Sequence, residues 1–434
     1  MSSQQYPSLP RTAGHIDPGA PPWLRAAQGA RLVDAAGRPG STIFEEMTAA
    51  AQRTGAINLG QGFPDDEPPE PLRAAAARGI GSGLNQYAPG SGMPVLRRAI
   101  AEHQQRWYGL EVNPDTETVV TTGATEAIAA TILAFCTPGS NVVVLEPFYD
   151  SYGAIAALAG AEIHAVPLLA PAFQPDLTAL AEAMTDDTAV IIVNDPHNPT
   201  GTRFDDATRA ALVDAARRHD AVLLADEVYE HLVFDGPHVP LARVPGAFER
   251  TVTVSSAGKT FSATGWKVGW ATGPRELIDA VRSVKQFLSY SSGPAFQTAV
   301  AEGLALPASF FAERSADLGE RATILADGLE AAGATVNRPR GGYFVVADLS
   351  PLGVLDATAL ARRLPDEAGV VGIPVGVFVT PAHEHAYAPL LRLAHCKRRD
   401  VIEEATARLR AWSSRLPDDA NSPLALGSPG VGRA

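Results

Sequence analysis

Cysteine is nearly absent: Cys136 and Cys396 are the only two in 434 residues, and both sit inside apolar runs. Two cysteines cannot build a disulfide framework, so reduced, buried thiols in a cytoplasmic protein are expected. Long apolar runs are missing too. No stretch approaches the ~20 residues a membrane helix needs, and the opening MSSQQYPSLPRTAGHIDPGAPPW has no apolar core of signal-peptide length. The expectation is a soluble intracellular protein. Basic charge is in deficit, 35 Lys and Arg against 48 Asp and Glu, a net −13. That balance argues against a nucleic-acid partner, which requires a basic face. The short run Lys397-Arg398-Arg399 is followed by Asp400, Glu403 and Glu404 and reads as a solvated helix start.

What is present is an ordinary globular composition, 46% apolar and 19% charged, on a chain long enough for two domains. Residues 1–40 are rich in Pro, Gly and Ala without a period and read as a flexible N-terminal arm. In STIFEEMTAAAQRTG, Thr42 and Glu45 have capping-box spacing, and Phe44, Met47 and Ala51 share a helical face. In MPVLRRAIAEHQQRWYG, Leu96, Ile100, His103 and Trp107 recur at the same spacing. From Thr118 onward the chain alternates short β-branched runs (TVVTT, NVVVLE, EIHAVPL, AVIIVND, AVLLADE, TVTVSS) with helical ones. Continuous apolar strands between amphipathic helices indicate an α/β fold with a mostly parallel sheet covered on both faces. After Gly293-Pro294, long helices and the strands GGYFVVADL, VVGIPV and LLRLAHC suggest a smaller α/β domain. The expected division is 41–57 with 306–416 as the small domain and 58–305 as the large one. The end, 417–434, has the composition of a disordered tail. There is no internal repeat.

In open α/β sheets ligands bind beyond the C-terminal strand ends. There TVVTT delivers Gly123-Ala124-Thr125 at a helix start, a place suited to a phosphate, although an N-capped helix without a ligand reads the same way. NVVVLE leads to Tyr149, AVIIVND to Asn198 in PHNPTG, AVLLADE to Asp226 and then Tyr229, and TVTVSS to Ser256 and Lys259. An aspartate closing a buried strand is costly unless a cation meets it. Each feature has a bland explanation, but the set of phosphate cradle, aromatic plate, amide, carboxylate, phenol and lysine matches what pyridoxal phosphate requires. The Gly-Lys-Thr at Gly258 suggests a nucleotide loop instead, yet G-x-x-x-x-G-K-[ST] needs glycine where Thr253 stands.

With INLGQGFPD, NQYAPGSGMPVLRRAI, PHNPTG, DEVYEHLVFDG, SSAGKTFSATGWKVGW and GGYF in this order, residues 41–415 resemble a fold-type I, class I/II pyridoxal-phosphate aminotransferase. The resemblance points to the branch of kynurenine/glutamine aminotransferases, which also act as cysteine-S-conjugate β-lyases. Actinobacterial N-succinyldiaminopimelate aminotransferases of lysine biosynthesis are similar as well. It implies pyridoxal 5'-phosphate held as a Schiff base by Lys259, with Asp226 on the ring nitrogen and Asn198 and Tyr229 on the ring oxygen. Tyr149 would stack on the ring, where relatives usually carry Phe or Trp. Ala124, Thr125, Ser256 and Lys267 would hold the phosphate, Lys267 standing where many relatives have Arg. Tyr87 would reach the phosphate of the partner in a homodimer.

Arg392 would take the substrate α-carboxylate as a bidentate pair; strand alternation alone reads it equally well as solvent-facing. Gly62 and Phe44 would line the side-chain pocket. The implied reaction is ping-pong transfer of an amino group from an L-amino acid of kynurenine, glutamine, methionine or aromatic type to a 2-oxo acid. The alternatives are the N-succinyldiaminopimelate enzyme and the β-lyase. No metal is expected, since His383-Glu384-His385 has no third ligand in register.

Overall fold

The computed structural model describes residues 16–33, 38 and 40–416. Residues 1–15 and 417–434, read above as parts of an arm and a tail, lie outside the described residues. The remainder of the arm holds a helix that the sequence reading missed. Pro22–Gly29 starts with proline in its first turn, buries Leu24 and packs on the helix Asp150–Ala159. The approach is so close that a Cβ on Gly29 would fall 2.3 Å from the Gly153 carbonyl oxygen. Only glycine fits there.

The strands are β1 (Ile57–Asn58), β2 (Thr118–Thr121), β3 (Asn141–Glu146), β4 (Glu162–Pro167), β5 (Thr188–Asn194), β6 (Val222–Asp226), β7 (Thr251–Ser256) and β8 (Gly269–Thr272). Those of the C-terminal part are β9 (Thr335–Asn337), β10 (Phe344–Asp348), β11 (Val370–Val371), β12 (Ile373–Pro374) and β13 (Leu390–Ala394). Seven form one sheet in the order β2-β8-β7-β6-β5-β3-β4. Its pairs are parallel except for β8, which runs antiparallel to both neighbours. Alternate side chains enter two cores. Val142, Val144, Val190, Ile192 and Leu224 face one layer with Ala127 and Ile128 of the helix Gly123–Phe135. Val143, Leu145, Ile191, Val193, Leu223 and Ala225 face the other. Burial on both sides explains the unbroken apolar runs, each such Val, Leu or Ile contributing about 1.5–3 kcal/mol relative to exposure.

The smaller domain has the sheet β12-β13-β10-β9, all antiparallel, with β11 paired to β1 beside it. VVGIPV is therefore two short strands in two sheets. The helix Ile43–Thr54 begins on the expected capping box: Glu45 N–H donates to Thr42 Oγ1 at 3.1 Å, and Thr42 N–H to Glu45 Oε2 at 2.9 Å. Its Met47 and Ala51 join a core with Leu325, Val345, Leu391 and Ile402. Both cysteines are buried free thiols. Among the described residues no helix is long and apolar enough to cross a membrane.

Several histidines are buried in their neutral form. Burial pushes His197 down to about 4, His231 to about 3 and His395 to about 3, and lowers His103 as well. Their folded pKa lies below the unfolded value of about 6.5, so the stability they carry is present above that pH and falls as the pH drops. For His197, His231 and His395 the loss is about 1.4 kcal/mol per pH unit between the unfolded and folded values. His238 runs the other way, raised beside Glu227, and Asp226, raised to about 6, also opposes the loss. The net expectation is a urea midpoint that falls steeply between about pH 6.5 and 5. A flat midpoint across that window would show that these imidazoles are not held neutral.

Candidate active site

The parallel strands β3, β5, β6 and β7 end on one edge with Glu146, Asn194, Asp226 and Ser256. Register places Asn194 beside Asp226 and Asp226 beside Val254. Beyond that edge lies a cavity of about 240 Å³ lined by Ala124, Thr125, Tyr149, Asn198, Asp226, Tyr229, Ser256, Lys259 and Lys267. Nine of the ten residues expected around a cofactor thus meet in one place. Asn194, Gly123, Val228 and Thr264 line it too.

Local structure explains each position. Ser256 caps the short helix Ala257–Thr260, its Oγ accepting from Gly258 N–H at 3.2 Å, and this turn presents Lys259. The lysine is half-buried, desolvation lowers its pKa, and Nζ lies 3.4 Å from the Gly62 carbonyl and 5.3 Å from the Tyr343 ring centre. Tyr343 Oη in turn donates to the Lys259 carbonyl at 2.8 Å. Asp226 is fully buried at the end of β6. Desolvation raises it to about 6, against a 2.5 Å hydrogen bond from Tyr152 Oη to Oδ2. Its Oδ1 is buried without a hydrogen-bond partner. The Asn198 main chain is pinned by its N–H donating to Asn194 Oδ1 at 2.7 Å.

The start of the helix Gly123–Phe135 forms the other wall. Gly123 has φ 74°, and β8 passes so near that a Cβ on Gly269 would sit 2.7 Å from the Ala124 nitrogen. Lys267 takes a left-handed φ of 53°, and its Nζ would be 3.4 Å from a Cβ on Gly123. An ammonium group against a helix N-terminus is unfavourable on its own, because both are positive. An anion between them reverses the sign.

Arg392 on β13 is 3% exposed, so the solvent-facing reading of that strand position is corrected: the residue points inward. Nη2 donates to the Gly60 carbonyl at 2.8 Å and Nη1 to Asn198 Oδ1 at 3.4 Å. Its guanidinium lies 3.9 Å from the Phe344 ring centre, 4.7 Å from Phe378 and 5.4 Å from Phe44. Burial lowers its pKa to about 10, leaving it a cation at neutral pH. Gly62 abuts the same group; a Cβ there would fall 2.4 Å from Phe344 Cζ. Tyr87 stands apart. It is 88% exposed, edge-on to Tyr290 at 5.9 Å, and does not line this chain's cavity.

Four site residues were not singled out from the sequence. Phe344 and Tyr343 lie in the quoted GGYF, Phe378 is in an unpatterned turn, and Tyr152 three positions after Tyr149 looks like any core aromatic. The His383-Glu384-His385 run splits: His383 Nδ1 bonds the buried Glu146 carboxylate, while Glu384 pairs with Arg31. A different group, His103, Glu230 and His231, brings three ligand-type atoms together. Its chemistry is already spoken for. The two Nε2 atoms share a 2.6 Å hydrogen bond, and Glu230 accepts from Tyr108 and Ser255.

Comparison with known proteins agrees with this geometry. The profile of the family "Aminotransferase class I and II" matches residues 54–409. A Mycobacterium tuberculosis protein named "Probable N-succinyldiaminopimelate aminotransferase" is 46% identical over 384 residues, 86% of this chain and 97% of that one. The solved structure of the M. tuberculosis N-succinyldiaminopimelate aminotransferase superposes with a TM-score of 0.83 at 47% identity, covering 86% of this chain and 97% of the other. The methionine aminotransferase of Escherichia coli is 37% identical over 372 residues, 86% of this chain and 96% of that one. With a lysine, a buried aspartate and a buried arginine converging at the strand ends, the chain belongs to the class I and II aminotransferases, a family that uses pyridoxal phosphate.

Proposed function

We propose that the chain is an N-succinyldiaminopimelate aminotransferase, exchanging the free amino group of that substrate with the oxo group of a 2-oxo acid. The observation that carries this reading is the 46% identity spread over 97% of the mycobacterial relative. It reverses the order of preference drawn from motifs alone, where a kynurenine, glutamine or methionine type stood first. A second reading keeps methionine or an aromatic amino acid as donor, favoured by the Phe44, Phe344 and Phe378 rings around Arg392.

The residues fit pyridoxal 5'-phosphate. Asp226 Oδ1, a buried carboxylate oxygen lacking a partner, suits a ring N–H, and Lys267 beside the glycine-lined helix start suits a phosphate. Bound there, the cofactor supplies a cationic ring that accepts the electron pair left when the substrate's α C–H bond breaks. Asp226 would keep the proton on the ring nitrogen, and Asn198 and Tyr229 would donate to the ring oxygen. Tyr149 would cover one ring face. Ala124, Thr125, Ser256 and Lys267 would hold the phosphate, and the exposed Tyr87 would reach that of a second copy in a homodimer.

Lys259, its pKa lowered by desolvation, would carry the proton from the substrate's α-carbon. Arg392 would clamp the α-carboxylate. Its planar fork matters as well as its charge, so Arg392→Lys is expected to lower kcat/KM by about 10²-fold, mostly through KM, since each charge-assisted hydrogen bond is worth about 1.5–3 kcal/mol. Unchanged kinetics in that variant would remove Arg392 from the substrate site.

The donor is tested by steady-state kinetics of the purified enzyme with N-succinyldiaminopimelate, methionine, kynurenine and glutamine against 2-oxoglutarate and pyruvate. The proposal predicts the highest kcat/KM for N-succinyldiaminopimelate. A higher value for methionine or kynurenine would establish the second reading. Pyruvate and ammonia released from a cysteine conjugate without any 2-oxo acid would mark a β-lyase instead.

A further inference from the structure

We infer that Tyr152 is a positioning residue for the cofactor: its phenol fixes one oxygen of Asp226 so that the other is left to receive the ring nitrogen's proton. The inference rests on the cofactor reading above and concerns a residue to which that reading gives no role. Tyr152 lies in the first turn of the helix Asp150–Ala159 and is 3% exposed. Its Oη donates to Asp226 Oδ2 at 2.5 Å, while Oδ1 is buried and without a partner. A carboxylate with one oxygen held and the other free, both out of water, is an acceptor aimed by its occupied side.

The tyrosine is itself held in place. Its ring stacks on Phe148 at 6.4 Å and 11° and meets Tyr149 edge-on at 5.7 Å and 89°. Burial and the neighbouring carboxylate push its phenol well above the ordinary value, so it serves as a donor at any physiological pH. Asn194 Nδ2 donates to the Asp226 carbonyl at 2.8 Å, which pins the main chain under the same group. Burial is the main influence raising Asp226, with the Glu227 charge adding to it, and the Tyr152 hydrogen bond is the largest that lowers it. Removing the phenol leaves the carboxylate free to rotate and favours its neutral form, which cannot pair with a pyridinium. One helix start would then do two things, Tyr149 covering the ring and Tyr152 aiming the counter-ion.

The test uses apo-protein titrated with pyridoxal 5'-phosphate and with its 1-deaza analogue, in which carbon replaces the ring nitrogen, each followed by quenching of intrinsic fluorescence. Tyr152→Phe should weaken binding of the natural cofactor about tenfold, the worth of one hydrogen bond to a charged group. It should leave the deaza analogue within about twofold, since that ligand has no ring nitrogen to meet Asp226. Tyr152→His, which keeps a ring-borne donor, should recover part of the discrimination. Equal weakening of both ligands, or of neither, overturns the inference, and so does the loss of a folded apo-protein in both variants, which would make the residue purely structural. Wild-type protein that binds no pyridoxal 5'-phosphate would sink the cofactor reading itself. Wild-type protein that binds it but rejects N-succinyldiaminopimelate would sink only the choice of donor.

Discussion

Lys259→Ala is expected to lower turnover by about 10⁴-fold or more, the upper range for losing a positioned proton carrier, and to abolish the visible absorbance of lysine-bound cofactor. The expectation rests on position. The lysine is half-buried with its amine 3.4 Å from a carbonyl and over two tyrosine rings, and no second lysine can replace it. Lys267 is held at the helix start beside Gly123, and Lys285 and Lys397 donate to the main-chain carbonyls of Gly90 and Phe63. The variant should still fold, because the Tyr343 hydrogen bond goes to the Lys259 carbonyl and survives the substitution. Stopped assays with the donor chosen by the kinetic panel measure the loss. Turnover within tenfold of wild type would remove Lys259 from the chemistry.

The second large effect is expected at Asp226. Asp226→Asn keeps the shape and the Tyr152 contact but removes the charge that would face a ring cation. Breaking a buried ion pair costs about 3–5 kcal/mol, equivalent to roughly 10²- to 10⁴-fold in kcat. The loss should fall on kcat more than on KM for the amino donor, because on the proposed reading Arg392, not Asp226, would hold the donor's carboxylate. Equal kcat for Asp226→Asn and wild type would mean that the ring nitrogen does not face this carboxylate.

Much of the fold was legible because burial on both faces of the sheet writes itself as unbroken apolar strands, seen in Val142–Leu145, Val190–Val193 and Leu223–Ala225. The helices Glu70–Gly81 and Arg275–Lys285 were not singled out, nor was β8, four residues that begin at the end of a motif read for its chemistry and run against their neighbours, a direction that composition does not encode. The helix Pro22–Gly29 has eight residues and one buried side chain, Leu24, too little for a period to emerge from a Pro- and Gly-rich stretch.

The site divides along the same physical line. Lys259, Asp226 and Asn198 were readable because strand ends bring chemistry-bearing residues to one edge. Arg392 was ambiguous, since alternation along β13 assigns a face but not what covers it, and the three phenylalanine rings that bury it come from distant segments. Tyr152 was silent, as its role depends on a contact across 74 positions that no local pattern signals. Tyr87 is exposed and does not line its own chain's cavity, so its proposed part depends on the proposed homodimer.

The central claim, that the cavity at the strand ends is built around Lys259 as the cofactor lysine, has a direct test. The chain contains only four lysines, Lys259, Lys267, Lys285 and Lys397, so the assignment is a choice among four. Protein loaded with pyridoxal 5'-phosphate is reduced with borohydride, digested, and the phosphopyridoxyl group located by mass spectrometry. The expected result is stoichiometric labelling of the peptide containing Lys259 alone. Labelling at Lys267, Lys285 or Lys397 with Lys259 unmodified, or no stable label, would contradict it.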